Sequence, residues 1–149
     1  DLILGDAFND LSVPYHLTTL EFSRRLKEYL RPDGLYLVNI IDNYKKGSFL
    51  KAFAHTLSQV FPYVYITAAG DAWDWDNPAT FVIVAASRPI DPARFLAAQR
   101  AIHSDAIPET RFLPADQMAA YLEQNAVLLT DDYVPVDNMI APLFVDRGF

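Results

Sequence analysis

An aspartate at the end of a short apolar segment is the first residue in the chain that could do chemistry. Leu2, Ile3 and Leu4 are followed by Gly5 and Asp6, a pattern that predicts a strand buried on both faces. Ligands of open α/β sheets bind at the carboxyl ends of such strands. A partly desolvated carboxylate at this position could act as a general base. In the alternative interpretation, Asp6 only caps a turn.

A second carboxylate, Asp10, lies four residues further on. Two carboxylates that face one pocket suit an ammonium group, because each accepts charge-assisted hydrogen bonds from it. In the alternative interpretation, Asp10 is a solvated loop residue.

Two further clusters combine acidic and aromatic side chains. Asp131, Asp132 and Tyr133 form the first, which either binds a cation or forms a turn that caps neighbouring amides. Trp73 and Trp75 lie among aspartates in the second, over residues 70–78. These tryptophans either stack on a cation or a base, or cover the end of the sheet.

Several motifs are absent from the sequence. The five glycines are far apart, so the chain holds neither a glycine-rich dinucleotide motif nor a phosphate-binding P-loop. A G-x-S-x-G nucleophile motif is missing as well. The three histidines are scattered, which predicts no metal site, and the lack of cysteine excludes disulfides and thiolate metal sites.

The surrounding segments alternate between strand and helix patterns. Thr18 and Glu21 form a capping box that predicts the start of a helix, which Pro32 and Gly34 end. The pattern further predicts strands over 35–41, 64–68 and 80–86 and helices over 48–60, 92–103 and 114–125. Because no helix separates the last two strands, we expect them to pair antiparallel. The tail over 126–138 is predicted to be mostly extended or looped.

The net charge is −7, and most of it lies in the C-terminal part. Residues 105–137 contain seven acidic side chains and one basic side chain. Such a surface disfavours nucleic acid and favours cationic partners, although a solvated acidic face that serves solubility is the alternative. No apolar run is long enough to span a membrane, so we expect a cytoplasmic protein or the soluble domain of a membrane-attached one.

Four stretches together resemble one family. DLILGDAF at 1–8, HLTTLEF at 16–22, LRPDGLYLVN at 30–39 and LTDDYVPVDN at 129–138 are similar to the second half of spermidine synthase-like proteins. These are polyamine aminopropyltransferases with the class I S-adenosylmethionine-dependent methyltransferase fold. The resemblance implies an α/β fold: the C-terminal half of a Rossmann-like sheet over residues 1–88, with parallel strands, crossover helices and a final antiparallel pair. A helical and extended segment over 89–149 would pack on it.

The resemblance also implies site residues. Asp6 would deprotonate the amine, and Asp6, Ala7 and Phe8 would contact the co-substrate, which is decarboxylated S-adenosylmethionine or S-adenosylmethionine. No metal is implied. Better-known synthases carry two aspartates three residues apart, whereas Asp6 and Asp10 are four apart. The residues expected to bind a small cationic amine are Asp10, Tyr15, His16, Asp131, Asp132 and Tyr133.

Two other functions are compatible with the same fold: methyl transfer from S-adenosylmethionine, and a non-catalytic role as a ligand-binding or scaffold domain. The family's glycine-rich nucleotide motif would precede Asp1, so we expect the isolated 149 residues to be a fragment without catalytic activity. The strand over residues 2–4 would then be an exposed apolar edge. We therefore expect a homodimer, or association through this edge.

Overall fold

The computed structural model describes residues 1–7, 13–102, 109–124 and 127–145. The strands are β1 (Leu2–Gly5), β2 (Leu35–Asp42), β3 (Tyr63–Ala69), β4 (Ala79–Ala86) and β5 (Thr110–Phe112). A short 3₁₀ helix covers Tyr15–Leu17, and the α-helices are α1 (Leu20–Tyr29), α2 (Phe49–Ser58), α3 (Pro92–Ile102), α4 (Ala115–Glu123), α5 (Val136–Ile140) and α6 (Pro142–Val145).

The five strands form one sheet in the order β1-β2-β4-β3-β5. β1 and β2 are parallel, whereas β4 is antiparallel to both β2 and β3, which confirms the predicted antiparallel pair. Strands β1, β2 and β3 therefore run in the same direction. Their carboxyl ends lie on one side of the sheet, which we name the carboxyl edge.

The hydrophobic core lies between the sheet and α2. Residues on β2 alternate between half-buried and buried, and Tyr36, Val38 and Ile40 are on the buried side. Phe49 and Phe53 of α2 are fully buried in the same core. Burial of each such side chain contributes roughly 1.5–3 kcal/mol, so the apolar face of α2 is a main reason that the sheet and helices stay together.

The prediction that β1 is buried on both faces is wrong. Leu2 is 56% exposed and Leu4 is 67% exposed. The reason is position: β1 is an edge strand, and within the described ranges only β2 pairs with it. The structure thus agrees with the expectation of an exposed apolar edge.

The predicted start of the first helix is off by one residue. Thr19, and not Thr18, caps α1, because its Oγ1 accepts a hydrogen bond from the Phe22 amide at 3.2 Å. Thr18 is buried, and its hydroxyl donates to the Tyr15 carbonyl at 2.7 Å. The Thr18 hydroxyl is thus bonded within the 3₁₀ helix, and the next threonine, Thr19, caps α1.

Several short elements were not predicted, among them β5 and α5. β5 is only three residues long, too short for an alternating pattern to be recognised, and it pairs antiparallel with β3. From residue 127 the tail is non-helical through Pro135, as predicted, but α5 then begins at Val136, which is fully buried. The division into segments 1–88 and 89–149 stays a prediction.

Candidate functional site

Asp6 lies at the carboxyl edge, directly after β1. The parallel register pairs Gly5 of β1 with Val38 of β2. The residues that follow them, Asp6 and Asn39, are therefore neighbours. The Asn39 side-chain amide donates a hydrogen bond to Oδ1 of Asp6 at 3.2 Å. Asp6 itself is exposed. The site therefore presents a solvent-accessible carboxylate that is oriented by an amide on the adjacent strand.

Tyr15 and His16 are the next predicted site residues along the chain. Both are exposed in the 3₁₀ helix, and their rings meet edge to face with centroids 5.6 Å apart. The Thr18 hydroxyl bond to the Tyr15 carbonyl fixes this short helix against the start of α1. The predicted site residues Phe8 and Asp10 lie outside the described residues.

The acidic turn, residues 130–133, is held at the start of α1. Thr130 and Tyr133 exchange two backbone hydrogen bonds, both at 3.0 Å. The Asp131 amide donates to Oε2 of Glu21 at 3.0 Å, so Glu21 anchors the turn instead of completing a capping box. Asp131, Asp132 and Tyr133 all have exposed side chains.

The tail reaches this position through two further bonds. The Leu20 amide donates to the Leu129 carbonyl at 2.8 Å, and the Leu129 amide donates to the Thr56 hydroxyl at 3.0 Å. The acidic turn and the 3₁₀ helix thus flank the same end of α1. Within the described part of the chain, no hydrogen bond or ion pair joins Asp6 to either of them.

A buried carboxylate that sequence reasoning missed ends β2. Asp42 is fully buried, and its carboxylate accepts hydrogen bonds from the Leu50 amide at 2.6 Å and the Asn43 amide at 2.7 Å. Burial raises the pKa of Asp42 to about 6, although these backbone bonds act in the opposite direction. Asp42 therefore holds the first turn of α2 at the carboxyl edge. The sequence pattern that could have predicted this role of Asp42 is an acidic residue at a strand end, followed by a loop and the start of a helix.

Asn43 connects two loops at the carboxyl edge. Its side-chain amide donates to the carbonyls of Trp75, Asp76 and Asn77 at 3.3, 2.8 and 3.3 Å. Its Oδ1 accepts hydrogen bonds from the Lys45 and Lys46 amides. One buried side chain thus fixes both the loop after β2 and the loop over residues 70–78.

The loop over residues 70–78 is less acidic than its sequence indicates. Asp71 pairs with Arg111 at 2.9 Å, and Asp76 pairs with Lys46 at 3.6 Å. Trp73 packs against the core and contacts Phe81, which fits the interpretation that it covers the end of the sheet. Trp75 differs, because it is 51% exposed.

A cavity of ≈ 280 Å³ extends from the carboxyl edge beneath β1. Asp6 and Ala7 line its outer end, and apolar side chains of β1, β2, α1 and α2 line the remainder. Tyr36 also lines it and is 3% exposed. Burial raises the pKa of Tyr36 to about 12, so its hydroxyl keeps its proton at neutral pH.

The described ranges lack two other kinds of feature, a metal-binding cluster and a membrane-spanning helix. No group of three or more histidine or carboxylate side chains there could hold a metal ion. None of the helices there combines the length and the apolar character needed to span a bilayer.

In sequence, the chain resembles a known protein over part of its length. No family model matches the chain. Over 62 residues the chain is 32% identical to a probable polyamine aminopropyl transferase of Bifidobacterium longum (strain NCC 2705). The match covers 41% of this chain and 14% of that relative.

Comparison with solved structures extends over more of the chain. A probable spermidine synthase from Corynebacterium glutamicum superposes with a TM-score of 0.73 at 19% identity, over 91% of this chain and 48% of that one. A spermidine synthase in complex with the transition state analogue AdoDATO gives a TM-score of 0.50 at 18% identity, over 78% of this chain and 39% of that one. The chain spans about half the length of the first of these structures. The resemblance predicted from the sequence is therefore confirmed as a similarity: the chain is similar to a polyamine aminopropyl transferase over part of its length and shares its α/β fold with these spermidine synthase structures.

Proposed function

We propose that the protein containing this chain transfers an aminopropyl group from decarboxylated S-adenosylmethionine to a diamine or polyamine, and that Asp6 is the base. The observation that carries the proposal is the exposed Asp6 carboxylate at the carboxyl edge, 3.2 Å from the Asn39 amide. The similarity to a polyamine aminopropyl transferase supports the reaction class.

The proposed reaction needs a base because an ammonium nitrogen has no free electron pair with which to attack. Asp6 accepts the proton, and the neutral nitrogen forms a bond to the aminopropyl carbon attached to sulfur. The carbon–sulfur bond breaks, and its electron pair stays on sulfur. The sulfonium thereby becomes the neutral thioether of methylthioadenosine.

The residues present at the carboxyl edge suit the charge of the co-substrate. Decarboxylated S-adenosylmethionine carries a sulfonium and an ammonium, so its contacts should be neutral or anionic. Asp6 is a carboxylate and Ala7 is neutral, and both line the outer end of the cavity. We infer that these two residues contact the co-substrate. The same role for Phe8 stays a prediction from the sequence.

The amine substrate is assigned to residues near the start of α1. Tyr15 and His16 on one side, with Asp131, Asp132 and Tyr133 on the other, supply aromatic rings and carboxylates to a cation. The bond from the Asp131 amide to Glu21 supports a fixed position for this group. That Asp10 also binds the amine stays a prediction from the sequence. The cytoplasmic location of the protein stays a prediction as well.

The test uses the longest natural reading frame that contains these residues. The purified protein is incubated with putrescine and either decarboxylated S-adenosylmethionine or S-adenosylmethionine, and mass spectrometry identifies the products. We expect spermidine and methylthioadenosine from the decarboxylated donor. Asp6→Asn should lower kcat by about 100-fold or more with unchanged methylthioadenosine binding, whereas the exposed control Asp116→Asn should not.

Each other outcome contradicts the proposal in a different way. Full activity of Asp6→Asn removes Asp6 from the chemistry. A methylated product formed only from S-adenosylmethionine selects methyl transfer. Binding without turnover of either donor selects a non-catalytic domain.

A further inference from the structure

A second cavity lies at the end of the sheet opposite to the carboxyl edge. Its volume is ≈ 570 Å³, within the range of roughly 300–1,000 Å³ that small-molecule sites occupy. The end of α2, the first residues of β3, β5 and α4 surround it. Tyr63, Pro114 and Ala119 in its lining are exposed, so the cavity opens to solvent and a ligand can enter it.

The lining of this cavity carries no charge. None of the described residues that form it has an acidic or basic side chain, although charged residues make up 21% of the chain. Four of them are aromatic: Phe61, Tyr63, Tyr65 and Phe112. A charged ligand would lose its hydration here without gaining a counter-charge, whereas an aromatic ring would leave water and contact other rings. The lining therefore favours an uncharged aromatic ligand.

Helix α4 forms one wall of the cavity through Met118, Ala119 and Leu122. Only Met118 and Tyr121 of this helix are buried. The Tyr121 side chain is 6% exposed, and its hydroxyl has no hydrogen-bond partner among the described residues. A buried hydroxyl that lacks a partner opposes docking of the helix, because it has given up its hydrogen bonds to water. Helix α4 is therefore held mainly by the packing of two side chains, and it is the wall that a ligand can displace.

The ring of Tyr121 connects α4 to the carboxyl edge. It stacks on the Tyr44 ring with centroids 4.9 Å apart, and the Tyr44 ring meets the Trp73 ring edge to face at 5.1 Å. The Lys51 ammonium lies 4.9 Å from the centre of the Tyr121 ring. Tyr44 follows β2 and Trp73 lies in the loop over residues 70–78, so both belong to loops at the carboxyl edge. A shift of α4 would therefore reach these loops.

We propose that this cavity binds a small uncharged aromatic molecule, and that the bound molecule shifts α4 and with it the stack of Tyr121 on Tyr44. A ligand changes such an equilibrium by the difference between its affinities for the two positions of the helix. The inference goes beyond the proposed function, because Asp6 is not part of the lining and the binding needs no transfer reaction. It provides a site through which a second molecule acts on the carboxyl edge.

The test measures the binding of three probes that share one naphthalene ring. 2-Naphthalenemethanol is uncharged, 2-naphthoate is an anion and 2-naphthylmethylamine is a cation at neutral pH. NMR titration of the 149-residue chain follows the methyl groups of Val64, Leu113 and Leu122, which line the cavity. We expect the alcohol to bind about tenfold more tightly than either charged probe.

Ala119→Trp tests the location of the site. Ala119 is an exposed residue of the lining, so a tryptophan there fills the cavity without entering the core. The alcohol should then bind about tenfold more weakly. Ala120→Trp adds the same ring one position further along α4, at an exposed residue outside the lining, and should leave binding unchanged.

The indole N–H signal of Trp73 reports the link to the carboxyl edge. We expect saturation with the alcohol to shift this signal in the wild-type chain and in Tyr121→Phe, which keeps the stacked ring. Tyr121→Leu should abolish the shift, with Tyr29→Leu, at a residue that is 82% exposed, as the control. Tyr44→Leu breaks the same stack from a half-buried position in the loop, and so tests the link without altering α4.

Equal affinities for the three probes, or unchanged binding in Ala119→Trp, would overturn the assignment of the site. Binding that leaves the Trp73 signal unmoved, or a shift that persists in both Tyr121→Leu and Tyr44→Leu, would overturn the link through α4. Because Asp6 takes no part in these measurements, their failure is distinguishable from a failure of the proposed function.

Discussion

The side-chain amide of Asn39 and the carboxylate of Asp6 lie 3.2 Å apart, which joins two neighbouring parallel strands at their carboxyl ends. The bond uses one carboxylate oxygen and leaves the other available to a ligand. A carboxylate that accepts a proton from a bound substrate must be held in one orientation, and the hydrogen bond from Asn39 holds Asp6 in this way.

Asn39→Leu removes the donor with little change in size. We expect kcat/KM for aminopropyl transfer to fall about tenfold or more, because a hydrogen bond to a charged group is lost. The measurement is steady-state kinetics on the natural reading frame, with Asn138→Leu on the exposed side of α5 as the control. Unchanged kcat/KM in Asn39→Leu would show that Asp6 needs no orienting partner.

Asp42 makes the stability of the chain depend on pH. Burial raises its pKa from 3.8 to about 6, so the folded state binds the proton more tightly than the unfolded state. The contribution to stability is therefore largest at low pH and is lost as the pH rises through about 6. Between pH 4 and pH 7 the loss amounts to about 2–3 kcal/mol.

Asp42→Asn isolates this effect. Urea unfolding of both proteins at several pH values gives the difference between their free energies of unfolding. We expect the wild-type value to fall relative to the variant by about 2–3 kcal/mol from pH 4 to pH 7. Asp33→Asn, at an exposed aspartate that has no ion-pair partner among the described residues, is the control. A constant difference for Asp42→Asn would mean that Asp42 does not titrate in this range.

Asn43→Ala should loosen the loop over residues 70–78. The change leaves three carbonyls and two amides without the side chain that now pairs with them. We expect the free energy of unfolding to fall by about 3 kcal/mol. Both tryptophans of the chain lie in this loop, so their fluorescence should shift to the red. Asn77→Ala, an exposed residue of the same loop, is the control. Equal stability of the two variants would contradict this account.

The edge of β1 should promote association. Leu4 is 67% exposed on a strand edge that no other described strand covers, and such edges pair with other chains. We expect the 149-residue chain to form dimers or aggregates in light scattering, and Leu4→Lys to reduce this strongly. Ile102→Lys, at a residue that is 79% exposed on α3, should have a smaller effect. A clean monomer at high concentration would refute the prediction.

The central sheet could be predicted from the sequence because its signals are local. The apolar strands at 35–41, 64–68 and 80–86 carry their own pattern, and the missing helix between the last two determines their antiparallel pairing. The exposure of Leu2 and Leu4 depends instead on which element lies next to β1. That information is not contained in the segment itself.

The site was predictable only in part, for the same reason. Asp6 was recognised from its position after an apolar strand. Asn39 and Asp42 were missed, because their roles depend on the register of β2 against β1 and on the distant start of α2. The ion pairs of the loop over residues 70–78 could not be predicted, because Arg111 and Lys46, which pair with two of its aspartates, are remote in the sequence.

The tail that runs along the start of α1 also affects how the chain is made. The ribosome releases α1 and α2 well before residues 127–136. During synthesis, the Leu20 amide and the Thr56 hydroxyl therefore lack their hydrogen bonds to the Leu129 backbone until the tail has been made. Full docking of α1 is thus a late event, because it requires the C-terminal residues. A nascent chain interrupted before Leu129 would expose the core around α2 to chaperones and proteases.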